Sequence, residues 1–347
     1  MTTGRRRAGA GSPCHERLTR CIARAPFRAA WWLPSAHLQT VFPHISRSLP
    51  RIRWRYERLE LDDGDFLDLA WHGEPSRPVI AIFTGLEGSA KSGYVRHVAH
   101  AASRAGLTTL VMHHRGCSGE HNRTLASYHA GHTSDIDRTL DHVAGCGQPP
   151  WICAVGFSLG GNALLKWAGE RNAGYGKVCA LVSVSAPVDL EVAAATLEQG
   201  ISRVYQSYLL ALLKRKTVDK IARLERSGQP VSLDVAALRG ARSFRRFDDV
   251  VTAPLNGFRD SAEYYARASA RPWLRNITVP TLMINALDDP FMHPRGLPTL
   301  EELASTTILE LSPKGGHVGF VDAKIPGQRG HWLERRILSF CEEHRRR

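Results

Sequence analysis

The sequence predicts an α/β protein: a mostly parallel central sheet flanked by helices, with a helical cap inserted between two of its strands. Three observations predict it. Short β-rich runs alternate with helical stretches from Pro78 to Val184, the rhythm turns wholly helical between Leu190 and about Arg275, and two more strand-like runs and a terminal helix follow.

Taken in order, Ile52, Trp54 and Tyr56 alternate with arginines, and Leu59 and Leu61 lead into Asp62-Asp63-Gly64-Asp65 before Phe66 to Trp71. This predicts two strands joined by an Asp-Gly turn. Pro78 to Phe83 is a continuous β-rich run of the kind buried on both faces. A helix is expected over Tyr94 to Ala105, a strand over Leu107 to Met112, and a helix over Asp135 to Val143. Trp151 to Val155 reads as a strand, Leu159 to Glu170 as a helix and Val178 to Val184 as a strand. Within the insertion, Ile201 to Leu213, Val218 to Leu224 and Phe244 to Val251 carry helical periodicity. Strands resume at Thr281 to Ala286 and Ile308 to Leu311, and the last helix runs from about His331 to Glu343. Trp31 to Thr40 lacks a clear period and is expected to be a loop docked on the domain.

A chain of 347 residues with 43% hydrophobic content can bury one large core. The expected organisation is a basic tail with a short helix over residues 1–30, then a single domain over 31–347 with its cap at about 190–275. No run approaches eighteen apolar residues, so no transmembrane helix is expected. The arginines at 5 to 7 resemble an export signal only superficially, since no apolar core or cleavage site follows, and a basic tail is expected instead. Seven cysteines, an odd number with no C-x-x-C pair, argue against a disulfide framework or a zinc site and favour a reducing, cytoplasmic setting. Cys153 and Cys179 fall in apolar runs and read as small core residues. The net charge of +13 is spread along the chain with no nucleic-acid-binding signature, so no nucleic-acid partner is expected. An arginine-rich surface does allow weak peripheral attraction to anionic lipid headgroups.

Gly156-Phe157-Ser158-Leu159-Gly160 sits where the chemistry of a parallel sheet belongs, between a strand and the helix that follows. Glycines at 156 and 160 suit a strained turn with no room for side chains, and the helix N-terminus favours negative charge near the serine oxygen. A serine needs a base to take its proton and an acid to orient that base. The acid is sought after the strand ending near Ala286, where Asp289 is the candidate, Asp288 its rival and Asp189 a weaker one. The base is sought after the final strand, where glycines flank His317; His331 is the weaker alternative. Amides of Leu159 and of Leu86, in Thr84-Gly85-Leu86-Glu87-Gly88, are the candidate oxyanion donors.

Ala36-His37-Leu38-Gln39-Thr40, Gly85-Leu86-Glu87-Gly88-Ser89, Arg115-Gly116-Cys117-Ser118-Gly119-Glu120, Tyr128-His129, Gly156 to Asn162, Asp288-Asp289-Pro290-Phe291 and Gly315-Gly316-His317 together resemble an α/β-hydrolase. More narrowly, they resemble the AB hydrolase family four group of YheT-like hydrolases and their animal membrane-associated relatives. The resemblance extends from Trp32 to the terminal helix. It implies hydrolysis of carboxylic esters, from short-chain esters to acylglycerols or phospholipids, through a Ser158, Asp289, His317 triad, an acyl-enzyme and no metal or organic cofactor. This chain departs from the family at Thr84, where a histidine is common, and in Tyr128-His129-Ala130-Gly131-His132. A monomer or weak oligomer is expected. A catalytically silent binding protein and a thioesterase or amidase are the alternatives.

Overall fold

The computed structural model describes residues 21–46, 49–171 and 174–345. The hairpin expected around the Asp-Gly turn forms as β2 (Arg55–Glu60) and β3 (Phe66–His72), with Glu60 opposite Phe66. The alternating units follow as β4 (Val79–Phe83), β5 (Thr108–Met112), β6 (Ile152–Phe157) and β7 (Val178–Val184), and the sheet resumes with β8 (Thr281–Ala286) and β9 (Thr307–Ser312). With β1 (Cys21–Arg24) at one edge, the nine strands run in the order β1-β9-β8-β7-β6-β4-β5-β3-β2. All neighbours from β1 to β5 are parallel; β3 joins β5 antiparallel, and β2 closes the other edge.

The sheet divides two apolar layers because successive side chains of a strand point to opposite faces. In β4, Val79, Ala81 and Phe83 join one layer and Ile80 and Ile82 the other. Helices α3 (Thr133–Gly145) and α4 (Leu159–Glu170) cover the first layer, and α2 (Gly93–Arg104) and α11 (Trp332–His344) the second.

Between β7 and β8 the chain is helical, with α5 (Leu190–Leu197), α6 (Ser202–Arg226), α7 (Val235–Gly240), α8 (Phe244–Phe247), α9 (Ala253–Leu255) and α10 (Ser261–Ala268). A π-helical turn, Asp248–Thr252, joins α8 to α9. Leu210, Ile221, Leu238, Phe247 and Val251 give these helices an apolar cluster of their own. No helix among the described residues is long and apolar enough to cross a membrane.

Three local expectations are corrected. Residues 1–20 lie outside the described residues, but Cys21–Arg24 is β1, paired in parallel with β9, and not part of a tail or short helix. Only the exposed edge of β9 supplies its partner, which local sequence cannot reveal. The segment expected as a loop contains α1 (Ala36–Ile45), capped by the Ser35 hydroxyl accepting from the Leu38 amide. A proline at 43 inside the helix hides its period. Cys153 and Cys341 are joined by a disulfide, whereas Cys21, Cys117, Cys146 and Cys179 are free. The bond links β6 to α11 across 188 residues, so neither spacing nor number announces it, and the cysteine count ceases to be a ground for a reducing compartment.

Arg115, buried after β5, ties the hairpin to α3. It meets Asp135 at 2.8 Å, and also pairs with Asp63 at 2.5 Å and Asp65 at 3.5 Å. Removing the cation strands buried carboxylates, so Arg115→Met is expected to cost about 3–5 kcal/mol of stability, measured by urea unfolding.

Candidate active site

The chain leaves β6 at Phe157, turns at Ser158 and enters α4 at Leu159. Ser158 is held at φ 50° and ψ −120°, a strained conformation for a residue with a side chain. Glycine makes the turn sterically possible. A Cβ at Gly156 would lie 2.6 Å from both Gly160 O and Gly161 Cα, and one at Gly160 would run into the carbonyl oxygens of Phe83 and Thr84. The Ser158 amide donates to Val184 O at 2.9 Å and its carbonyl accepts from the Asn162 amide at 3.1 Å. Buried Asn162 in turn donates to Ala130 O and Ala268 O and accepts from the Ala270 amide, fastening α4 to the end of the helical insertion.

His317 comes from the loop after β9 and Asp289 from the loop after β8, adjacent parallel strands whose carboxyl ends face the same way. His317 Nδ1 lies 2.8 Å from Asp289 Oδ2 and 3.1 Å from Oδ1, and Nε2 lies 2.9 Å from Ser158 Oγ. The carboxylate accepts a hydrogen bond from Nδ1–H, leaving Nε2 to accept from the serine hydroxyl. The Phe291 amide donates to Asp289 Oδ1 at 2.8 Å, and the Phe291 ring stacks on the imidazole with centroids 4.0 Å apart.

The rivals sit elsewhere. Asp288 Oδ1 accepts from the Gly316 amide at 3.0 Å, so it holds the histidine loop and does not face the imidazole. Asp189 caps α5 and pairs with Arg271, and His331 stands at the start of α11 near Glu334. Sequence reasoning missed two supports of the histidine loop. The Thr40 hydroxyl accepts from the His317 amide at 2.9 Å, and the Ser185 hydroxyl accepts from the Val318 amide at 3.1 Å. Gln39, fully buried, donates to Leu33 O and Val321 O and accepts from the Val321 amide, which anchors α1 against that loop. The pair of polar residues Gln39-Thr40 amid apolar neighbours was the available signal.

The 84–88 loop runs beside the serine: a Cβ on Gly85 would lie 3.2 Å from Ser158 Cβ. Its amides are differently employed. Gly85 donates to the Tyr94 hydroxyl at 3.1 Å, Glu87 to the Tyr128 hydroxyl at 2.9 Å, and Gly88 to Gly85 O at 2.9 Å. Leu86 lies between them on the cavity wall, and Leu159, as the first residue of α4, has an amide with no intrahelical acceptor. The Glu87 carboxylate accepts from the Tyr128 hydroxyl at 2.7 Å and from Lys216 Nζ at 2.9 Å, so α6 of the insertion is tied directly to this loop.

A cavity of about 180 Å³ opens on Ser158, His317, Leu86 and Leu159 and extends beneath the insertion. Its walls are largely apolar, including Leu190, Leu197, Leu213, Phe244, Phe247 and Val251. Polar side chains interrupt them, Lys216, Lys220 and Asp248 among them. Lys216 and Lys220 face the cavity, and burial lowers the Lys220 ammonium to a pKa of about 7 while it donates to Leu125 O and Ala126 O. Asp248, on the π-helical turn, accepts from Thr252 Oγ1 at 2.5 Å and from the Tyr265 hydroxyl at 2.7 Å. Burial pushes its carboxyl up to about 7, outweighing both hydrogen bonds.

The folded protein therefore retains a proton on Asp248 between the ordinary carboxyl range and about pH 7, where the unfolded chain has lost it. Stability contributed by this group falls as pH rises through that window. Asp248→Asn, which never ionises, is expected to melt higher than wild type at about pH 8, with the advantage shrinking towards about pH 5. Paired thermal melts check the sign.

A family model described as the alpha/beta hydrolase fold matches residues 78–324. The chain is 41% identical over 308 residues to the putative esterase YheT of Escherichia coli, covering 87% of this chain and 89% of that protein. It is 26% identical over 321 residues to human phospholipase ABHD3, covering 90% and 77% of the two. The solved structure of the Pyrococcus furiosus esterase Pf2001 superposes with a TM-score of 0.54 at 13% identity, covering 86% of this chain and 98% of that one, a likeness of fold.

Proposed function

The chain belongs to the α/β-hydrolase family, and from that premise we propose that it is a serine hydrolase of carboxylic esters. The observation that carries the proposal is the unbroken line of hydrogen bonds from Asp289 through His317 to Ser158, opening on an apolar cavity. In the proposed reaction His317 Nε2 takes the Ser158 proton as Oγ attacks the ester carbonyl. Asp289 fixes the imidazole and stabilises its cation. The Leu86 and Leu159 amides hold the oxyanion, and His317 then returns the proton to the leaving alcohol. Water, activated by the same histidine, releases the acid from Ser158.

The lining points to the acyl group as the apolar part of the substrate. A volume of about 180 Å³ is smaller than the roughly 300–1,000 Å³ of sites for drug-sized ligands, which favours short or medium acyl chains. The names of the relatives, an esterase and a phospholipase, are consistent with simple esters or lipids as substrates. Peripheral attraction to anionic lipid surfaces belongs to the same proposal. It is supported by the exposed apolar Leu38, Val41 and Ile45 of α1 beside Val204 and Tyr208 of α6, helices joined by the 3.1 Å His37–Tyr205 hydrogen bond.

Hydrolysis of p-nitrophenyl esters of increasing acyl length tests the reaction. Wild type is expected to prefer short or medium chains, and Ser158→Ala to lose activity by a factor of about 10⁴ or more. Failure of a fluorophosphonate to label Ser158 in folded wild type would move the assignment to a silent binding protein.

The two neighbouring carboxylates give a sharper test. Asp289→Asn is expected to lower kcat by about 10³–10⁴-fold by removing the acceptor that sets the tautomer. Asp288→Asn, which keeps an oxygen for the Gly316 amide, is expected to stay within about tenfold of wild type. Equal losses in both would sink the assignment of Asp289 as the acid.

A further inference from the structure

Where α2 meets the start of α11, the fold gathers His97, His331 and Glu334, each offering one ligand atom within 4.8 Å of the others. His331 and Glu334 stand three residues apart at the helix start, with His331 Nδ1 and Glu334 Oε2 separated by 4.0 Å. His97 is 6% exposed and Glu334 1%, so both are withdrawn from water, yet His97 Nδ1 and Glu334 Oε2 have no hydrogen-bond partner. Each of these buried atoms, left without a hydrogen-bond partner among the described residues, carries a desolvation cost that a bound cation would offset. The other carboxylate oxygen, Oε1, is held by Arg329, which orients Glu334 and leaves Oε2 facing the histidines.

We propose that His97, His331 and Glu334 form a zinc-binding site that clamps α2 to α11. Two imidazoles and one carboxylate are a ligand set suited to Zn²⁺, and not the all-oxygen set taken by Ca²⁺ or Mg²⁺. Zinc bonds of about 2.0–2.2 Å in a tetrahedron place donors roughly 3.4 Å apart. The three ligand atoms, within 4.8 Å of one another, would have to draw together by about 1 Å on binding, the exposed His331 being the freest to move, with water as the fourth ligand. None of the three lines the cavity at Ser158, so the expected effect is on the packing of the terminal helix and not on the reaction. Cysteine spacing gave no hint of it because none of its ligands is a cysteine, and two of the three, His97 and His331, are histidines far apart in the chain.

A second group, Glu57, His142 and Cys146, also brings three ligand atoms together. There His142 Nε2 already meets Glu57 Oε1 at 2.7 Å, so the histidine and the carboxylate satisfy each other without an ion. It serves as the internal control.

The test is titration of the untagged full-length protein, stripped with chelator, with ZnCl₂ by calorimetry, together with thermal melts and the visible spectrum of the Co²⁺ form. Wild type is expected to bind one Zn²⁺, to melt higher with it, and to show the intense bands of tetrahedral Co²⁺. The His331 side chain is largely exposed and its ring contact among the described residues is with His97 alone, so His331→Ala is expected to fold normally and to weaken binding by roughly 100-fold. No binding by wild type, an unchanged affinity in His331→Ala, or binding abolished by His142→Ala instead would each overturn the proposal.

Discussion

Between Gly156 and Gly161 the backbone of β6 and α4 passes so close to itself and to the end of β4 that side chains have nowhere to go. A Cβ at Gly160 would meet Phe83 and Thr84 oxygens, while Gly85 lies against Ser158 itself. This close packing holds the serine at a positive φ and simultaneously presses the 84–88 loop to its side. The candidate nucleophile and both candidate amide donors thus share one steric origin. Strain at Ser158, of the order of 1–3 kcal/mol, is borne by the surrounding β4, β6 and β7 backbone, which is buried throughout.

The histidine side of the site is built differently. Gly315 and Gly316 are followed by positive φ at Val318 and Phe320, so the loop has little conformational preference for its own shape. It is suspended from other elements: Asp288 holds the Gly316 amide, Thr40 the His317 amide and Ser185 the Val318 amide. Three hydroxyl or carboxylate acceptors from separate segments place one imidazole. The adjacent carboxylates therefore divide the work, Asp288 bonding backbone and Asp289 bonding the ring, although both belong to the same short turn.

The cap and the site are also joined by charge. Lys216 from α6 reaches Glu87 in the loop beside Ser158, and the ammonium lies 5.2 Å from the centre of the Tyr128 ring, whose hydroxyl bonds both the Glu87 amide and its carboxylate. A displacement of α6 would break an ion pair that lies largely out of water, which gives the insertion a preferred seat over the cavity.

The order of strands and helices from Pro78 to Val184 was legible because fully buried parallel strands leave continuous apolar runs and helices leave a 3.6-residue period. Ser158, His317 and the Asp288-Asp289 pair could be nominated as candidates for a related reason: strand ends in a parallel sheet converge, so motifs distant in sequence can be assigned to one place. What remained hidden was every feature that depends on a partner. The strand Cys21–Arg24 exists through the edge of β9, α1 through its docking on the histidine loop, and the Cys153–Cys341 bond through the meeting of β6 and α11. Local pattern determined the layers and nominated the candidate site residues of this protein. The choice between Asp288 and Asp289, the depth and lining of the cavity, the buried Asp248 and the gathering of His97, His331 and Glu334 were decided by tertiary structure, because distance and desolvation are properties of neighbours in space and not of neighbours in sequence.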